Sequence, residues 1–127
     1  LKLNPLETVL RDKRIVVVDD SIVRGTTSKN LITRMKKAGA KEVHMRIVSP
    51  PVKYPCYYGI DTPSRRKLIA ANYSVEEMRE KIGADSLAFI SMEGMLDATL
   101  MEENIFCEAC FNGNYAVEPK ELVEDEK

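Results

Sequence analysis

The feature that most constrains the fold is residues 15–27, where an apolar run ends in two carboxylates and a small-residue loop. The run over residues 15–18 is rich in β-branched side chains, which favours a buried strand of a parallel sheet. Asp19 and Asp20 follow at the carboxyl end of this strand, where ligands bind in open α/β sheets. The small residues after them allow backbone N–H groups to converge on an anion at a helix N-terminus. The segment therefore predicts a strand, a phosphate-binding loop and a helix, in that order.

The same segment resembles the binding motif of type I phosphoribosyltransferases, which act on 5-phosphoribosyl-1-pyrophosphate (PRPP). The resemblance implies that Asp19 and Asp20 hold the ribose hydroxyls and Mg²⁺, a role that suits carboxylates because they bind hard cations. It implies that the loop after them cradles the 5′-phosphate, and the loop consists of Ser21, Ile22, Val23, Arg24, Gly25, Thr26 and Thr27. The alternative without a function is a buried strand that ends in an Asp-rich turn.

Length and composition limit the chain to one hydrophobic core. It has 127 residues, of which 44% are hydrophobic, and its formal net charge is −1. This charge argues against a nucleic-acid surface, which needs a basic patch. Its apolar runs are far shorter than the ~20 residues of a membrane span, so we expect neither nucleic acid nor membrane as a partner. The chain starts without a signal-peptide pattern or an initiator Met, which predicts part of a longer, cytoplasmic protein.

The rest of the chain predicts alternating strands and helices. Strands are expected over residues 14–18, 42–48 and 86–90, and helices over residues 26–38, 62–71 and 74–83 and after residue 91. Thr62-Pro63 has the pattern of an N-cap followed by proline, and Ser74 with Glu77 has that of a capping box. We therefore expect an α/β fold, a parallel sheet with flanking helices, over residues 1–100. A helical or irregular extension with a frayed tail at 118–127 is expected over residues 101–127.

The three cysteines suggest metal ligands, but their spacing leaves the assignment open. Cys107 and Cys110 form a C-x-x-C pair, and Cys56 lies far upstream. Such a pair can place two thiolates on one zinc ion or iron–sulfur cluster, although three thiolates leave either site one ligand short. Unrelated thiols or a redox pair are the alternatives. A redox pair is disfavoured because a thioredoxin-like motif is expected near the start of its fold.

Further segments extend the resemblance to the glutamine phosphoribosylpyrophosphate amidotransferase family, up to about Tyr115. They are Ser49-Pro-Pro51, Pro55-Cys-Tyr-Tyr-Gly-Ile-Asp61, Leu68-Ile-Ala70, Ser74-Val-Glu-Glu77, Ile82-Gly-Ala-Asp85, Glu93-Gly94 and Cys107-x-x-Cys110-Phe-x-Gly113-x-Tyr115. The family makes 5-phosphoribosylamine from PRPP and glutamine-derived ammonia, the first committed step of purine synthesis. The segments resemble its Bacillus-like branch, in which four cysteines hold a structural [4Fe–4S] cluster. The resemblance implies that Cys56, Cys107 and Cys110 are three of those ligands and that the fourth lies outside this chain.

The resemblance also implies an incomplete enzyme. The family's glutaminase domain, its early transferase strands and its pyrophosphate-binding residues precede the matched segment, so we expect the isolated chain to be inactive and to hold no catalytic nucleophile. Expected partners are PRPP, purine nucleotides as feedback inhibitors, the rest of the enzyme and further copies in a homo-oligomer. The alternatives are a non-catalytic PRPP-binding regulatory module, a salvage phosphoribosyltransferase, which would lack the three cysteines, and a piece that binds nothing.

Four other features have structural and functional interpretations. His44, the only histidine, lies in a predicted strand, which favours a packed or surface role over a catalytic base. Arg24 lies within the loop and can reach a phosphate or a feedback nucleotide, or can be an exposed loop side chain. The tyrosines Tyr57, Tyr58 and Tyr73 favour packing over base stacking, and Arg65–Lys67 favours a solvated helix face.

Overall fold

Three parallel strands form the centre of the fold. The computed structural model describes residues 7–101, 105–117 and 119. Within them one sheet has the order β1-β2-β3, where β1 is Arg14–Asp19, β2 is Glu42–Ile47 and β3 is Ser86–Phe89. The register pairs Val16 with His44 and Met45 with Leu87. The three predicted strands are confirmed, and only their last residues differ, by one position each.

Two longer helices follow the signals in the sequence. α2 spans Thr26–Lys37 and α4 spans Val75–Ile82. The described residues also form four short helices, α1 (Glu7–Leu10), α3 (Ile69–Asn72), α5 (Met92–Asp97) and α6 (Ala109–Asn112). α4 begins at the expected capping box, because Ser74 Oγ accepts from the Glu77 N–H at 3.3 Å and Glu77 Oε2 accepts from the Ser74 N–H at 2.8 Å. None of the described helices is long and apolar enough to cross a membrane.

The helix expected over residues 62–71 is wrong in its first half. The chain instead forms a 3₁₀ turn at Arg65–Lys67, followed by α3. The Thr62 hydroxyl accepts a hydrogen bond from the Cys56 N–H at 2.6 Å, so it stabilises the preceding loop rather than a helix start. The region of the C-x-x-C pair, expected to be irregular, contains α6. Of the expected tail over residues 118–127, the structure describes Pro119 alone, and the rest lies outside the described residues.

The core lies on one face of the sheet, under α2, α3 and α4. Its buried members from β2 and these helices include Ile32, Val43, Met45, Ile47, Ile69, Met78 and Ile82, and Ile22 of the loop after β1 joins them. On the opposite face Val16 and Val18 are 63% and 66% exposed. β1, predicted as a buried strand, is therefore exposed on this face in the described residues, because the helices that pack on the sheet lie on its other side.

Candidate functional site

The loop after β1 surrounds a cavity of about 450 Å³. All nine residues expected at a sugar-phosphate site line it, together with three others, and the full lining is Asp19, Asp20, Ser21, Ile22, Val23, Arg24, Gly25, Thr26, Thr27, Ser28, Asp61 and Pro63. No local sequence signal marked Asp61 and Pro63 as site residues, because they come from the segment after Cys56. The fold brings that segment against the loop.

Short hydrogen bonds orient the two carboxylates at the end of β1. The Asp20 N–H donates to Asp19 Oδ1 at 3.0 Å. The N–H and the hydroxyl of Ser21 donate to Asp20 Oδ1 at 2.6 and 3.2 Å. In the described part of the chain, Oδ2 of each carboxylate takes no hydrogen bond or ion pair. Each acid is thus held on one oxygen and presents the other to a hydroxyl or a cation.

Gly25 shapes the phosphate loop from behind. Its φ of +79° lies in the left-handed region, and a Cβ here would come within 2.8 Å of Ile69 Cδ1. The Val23 carbonyl accepts a hydrogen bond from the Ile69 N–H at 2.9 Å. The loop is therefore fixed against the start of α3 by one backbone bond and one close contact.

The N-terminus of α2 opens into the same cavity. Gly25 is its N-cap and provides no capping side chain, so the first N–H groups of the helix lack intrahelical partners. Their partial positive charge favours an anion. The hydroxyls of Thr26 and Thr27 stand on the same turn and line the cavity. This end of the cavity can bind a phosphate through amides and hydroxyls.

The charges that line the cavity are mostly acidic. Asp19, Asp20 and Asp61 face it, and among the described residues Arg24 is the only cation that lines it. Carboxylate oxygens suit Mg²⁺, which proteins commonly bind through one or two carboxylates together with substrate phosphates. The described residues contain no group of three or more His, Cys, Asp or Glu side chains placed to hold a metal ion. A cation at this site would therefore need oxygens from a ligand.

The C-x-x-C segment folds back onto the segment that carries Cys56. The Cys110 carbonyl accepts from the N–H groups of Lys53 and Tyr54, both at 3.0 Å. The Tyr115 hydroxyl donates to the Pro55 carbonyl at 2.7 Å. The fold thus brings the upstream cysteine and the C-x-x-C pair into one region of the surface.

All three cysteines are free thiols. Burial raises the pKa of the Cys110 thiol, and the neighbouring Cys107 and Cys56 raise it further. Burial and the surrounding phenols and thiols also raise the pKa of Tyr115 to about 12. The raised pKa favours the neutral thiol of Cys110 over its thiolate. The donor set suits a thiophilic metal, although the described thiols are not arranged as a metal site.

His44 lies away from the cavity, on the open face of the sheet. Its Nδ1 is 2.8 Å from Ser86 Oγ and its Nε2 is 2.9 Å from Glu42 Oε2. Arg14 Nε also donates to that carboxylate oxygen, at 2.7 Å. These contacts place the histidine in a surface polar network that joins all three strands, as the sequence favoured.

Tyr57 and Tyr58 pack against Tyr115 in T-shaped contacts, with ring centroids 5.2 and 6.1 Å apart. Tyr73 is 41% exposed, and for this residue packing stays a prediction. Lys81 Nζ lies 4.0 Å from the centroid of Tyr73, and the Arg65 guanidinium lies over the ring of Tyr54 at 4.7 Å. Arg65 therefore contacts Tyr54, whereas Arg66 and Lys67 of the same 3₁₀ turn line a second cavity.

The chain is similar in sequence to proteins named amidophosphoribosyltransferase. No protein-family model matches the chain. It is 57% identical over 123 residues to the amidophosphoribosyltransferase of Synechococcus elongatus, covering 96% of this chain and 25% of that protein. It is 55% identical over 122 residues to the chloroplastic amidophosphoribosyltransferase 1 of Arabidopsis thaliana, covering 96% and 22%. The chain therefore spans about a quarter of the length of the curated relatives it matches.

A solved structure has the same fold. The glutamine PRPP amidotransferase of B. subtilis, complexed with ADP and GMP, matches with a TM-score of 0.85 and 49% identity, over 93% of this chain and 27% of that one. These similarities confirm the resemblance to amidophosphoribosyltransferases and the α/β fold. They do not bear on the cluster-containing branch or on the roles of individual site residues, which stay predictions.

Proposed function

We propose that residues 19–27 bind the ribose 5-phosphate end of PRPP as part of an amidophosphoribosyltransferase. The observation that carries this proposal is one cavity lined both by two half-open carboxylates and by an uncapped helix N-terminus. Relatives named amidophosphoribosyltransferase along nearly the whole chain support a role in purine biosynthesis. The chain spans about a quarter of the length of these relatives. The complete reaction of PRPP with glutamine-derived ammonia is therefore proposed for the intact protein.

One end of the cavity binds the 5′-phosphate and the other end binds the ribose. The first turn of α2 and the hydroxyls of Thr26 and Thr27 hold the 5′-phosphate. The open oxygens of Asp19 and Asp20 accept hydrogen bonds from the vicinal ribose hydroxyls. Mg²⁺, held by the same carboxylates when bound, would neutralise the departing pyrophosphate. Together these contacts fix the sugar ring with both of its ends anchored.

Displacement of pyrophosphate from C1 of the ribose requires positioning of the substrate and does not require a covalent intermediate with the protein. Positive charge builds on the sugar ring as pyrophosphate leaves C1, as in glycoside hydrolysis. Two carboxylates close to the ring stabilise that charge electrostatically. No side chain that lines the cavity needs to act as a nucleophile. Arg24 is the only cation among the described residues that line the cavity, and we expect the isolated chain to form no product.

The enzyme and its alternative differ in one assay. Ammonia and PRPP give 5-phosphoribosylamine with the intact protein if it is the synthase, and Asp19→Asn with Asp20→Asn abolishes this product. A non-catalytic regulatory module would bind PRPP and form none. The isolated chain is expected to give no product, and any product from it would contradict this expectation.

For the cysteines, we propose that Cys56, Cys107 and Cys110 supply three of four thiolates to a [4Fe–4S] cluster. The backbone bonds from Lys53 and Tyr54 to Cys110 support this, because they hold the two cysteine segments side by side. Anaerobic purification of the intact protein should give a brown protein with iron and sulfide. The colour should be lost on replacing Cys107 with Ser. One equivalent of zinc without iron would contradict the cluster.

We also propose purine nucleotides as ligands of the intact protein. The B. subtilis neighbour carries ADP and GMP, and this supports purine nucleotides as ligands of the protein. A homo-oligomer and a cytoplasmic location complete the proposal, although a plant relative is chloroplastic by name.

A further inference from the structure

A second cavity of about 490 Å³ lies behind the phosphate loop. Its lining is cationic, and the five basic residues are Arg24, Lys29, Arg66, Lys67 and Lys81. No acidic side chain of the described residues lines it, whereas three aspartates line the sugar-phosphate cavity. We propose that this second cavity binds a polyphosphate, a small anion with several adjacent phosphate groups.

The cations converge from separate parts of the fold. Lys29 stands on the first turns of α2, Lys81 on the last turn of α4, and Arg66 and Lys67 on the 3₁₀ turn before α3. The element contacts of α2 with α4 and of α3 with both α4 and the turn hold these elements together. The basic cluster is therefore a product of the packing rather than a run of like charges on one exposed helix.

Within the described residues, these cations lack the ion-pair partners that Lys36 and Arg79 have. Lys36 pairs with Asp85 at 3.1 Å and Arg79 pairs with Glu76. In the described part of the chain, no carboxylate forms an ion pair with any of the five cavity cations. Lys81 Nζ lies over the ring of Tyr73. It also lowers the pKa of Glu77, but hydrogen bonds from Ser74 lower that pKa more. Unpaired like charges around one space repel one another, and a multivalent anion would remove that repulsion.

The shape and lining select the class of anion. The floor is apolar, formed by the buried side chains of Leu68, Ile69 and Ile82, so the polar contacts come from the cationic rim. Five cations around one cavity favour an anion that carries several charged groups over a single phosphate. Inorganic polyphosphate and the phosphate tail of a nucleotide share this chemistry. Tyr73 is the aromatic surface that a nucleotide base would use, and Lys81 covers part of it.

The test must separate the two cavities, because Arg24, Gly25 and Thr26 line both. The intact protein is first saturated with ribose 5-phosphate. Inorganic tripolyphosphate is then titrated by calorimetry without Mg²⁺. We expect one equivalent to bind. The Lys29→Gln/Lys81→Gln double variant should bind tripolyphosphate about tenfold more weakly, since each partly exposed ion pair contributes modestly. Its affinity for ribose 5-phosphate should be unchanged, because neither lysine lines the first cavity.

Lys37→Gln is the matched control, because this exposed lysine lies on the same helix about 12 Å further along its axis. It should leave tripolyphosphate binding unchanged. ATP in place of tripolyphosphate distinguishes the sources: tighter binding that the double variant weakens assigns a nucleotide, and equal binding assigns inorganic polyphosphate. The proposal would be overturned if tripolyphosphate did not bind, or if it bound only to protein without ribose 5-phosphate. It would also be overturned if the double variant bound tripolyphosphate as tightly as wild type. Binding of an acidic peptide with none of either phosphate probe would do so too, and would assign a protein partner.

Discussion

Replacing Gly25 with alanine should damage the phosphate loop in two separable ways. At φ +79° an L residue is in the left-handed region, which costs about 1–2 kcal/mol. The added Cβ would also lie 2.8 Å from Ile69 Cδ1 and 3.4 Å from Ile82 Cγ2. Relieving that overlap should cost about 1–2 kcal/mol more, because the loop or the isoleucine must shift. We therefore expect the free energy of unfolding to fall by roughly 3 kcal/mol.

Two further variants divide this cost into its parts. Gly83 has nearly the same backbone conformation, φ +77°, but a Cβ added there would meet no neighbouring atom of the described residues within 4 Å. Gly83→Ala should therefore cost only about 1–2 kcal/mol, the backbone part. Ile69→Val removes the atom that the new Cβ would strike and costs about 0.5–1.5 kcal/mol alone. In that background Gly25→Ala should cost about 1–2 kcal/mol.

Urea unfolding gives the stability differences, and calorimetry with ribose 5-phosphate gives the function of the loop. We expect the affinity to fall about tenfold or more in Gly25→Ala, since a shift near 1 Å misplaces the N–H groups, and to be unchanged in Gly83→Ala. Equal destabilisation by the two alanines, or no relief from Ile69→Val, would refute the contact between the loop and α3. Unchanged affinity in Gly25→Ala would refute the loop as a phosphate site.

Three further outcomes are expected from the same structure. Ser74→Ala removes the cap of α4 and should lower the free energy of unfolding by about 1 kcal/mol in urea. The Asp85 carboxylate accepts from the Val43 N–H at 2.7 Å, and this bond lowers its pKa. The stability that the carboxylate gives should be complete above its unfolded pKa of about 3.9, and should be lost as pH falls through the lowered folded pKa. In urea unfolding from pH 6 to pH 2, the difference in free energy of unfolding between wild type and Asp85→Ala should therefore shrink. In metal-free protein iodoacetamide should modify exposed Cys107 before Cys110, whose pKa is raised, and equal rates in peptide mass spectra would contradict this.

The strands and α4 could be predicted because their signals are local. A β-branched run marks β1, and Ser74 with Glu77 marks the start of α4. The helix at Thr62 could not be predicted correctly, since the Thr62 hydroxyl instead accepts from the Cys56 N–H, six residues earlier in the same loop. The same pattern of an N-cap residue before proline suits both outcomes, and only the fold decides between them.

The candidate site was predictable where it is continuous in sequence. Residues 19–27 line one cavity, and their order along the chain is enough to place them there. Asp61 enters from a distant loop, and the second cavity gathers Lys29, Arg66 and Lys81 from three elements. Dispersed charges of this kind look like solvated surface in a sequence, because nothing local shows that packing brings them together.

Titration of PRPP with Mg²⁺ into the intact protein tests the central claim most directly. Wild type is compared with the Asp19→Asn/Asp20→Asn double variant and with Asp97→Asn, an exposed aspartate on α5 outside the cavity. If these two carboxylates hold the ribose, the double variant should bind at least about a hundredfold more weakly, since each hydrogen bond to a charged group contributes about 1.5 kcal/mol or more. The Asp97 control should match wild type. Equal PRPP affinity in all three proteins would contradict the assignment of residues 19–27 as a ribose-phosphate site.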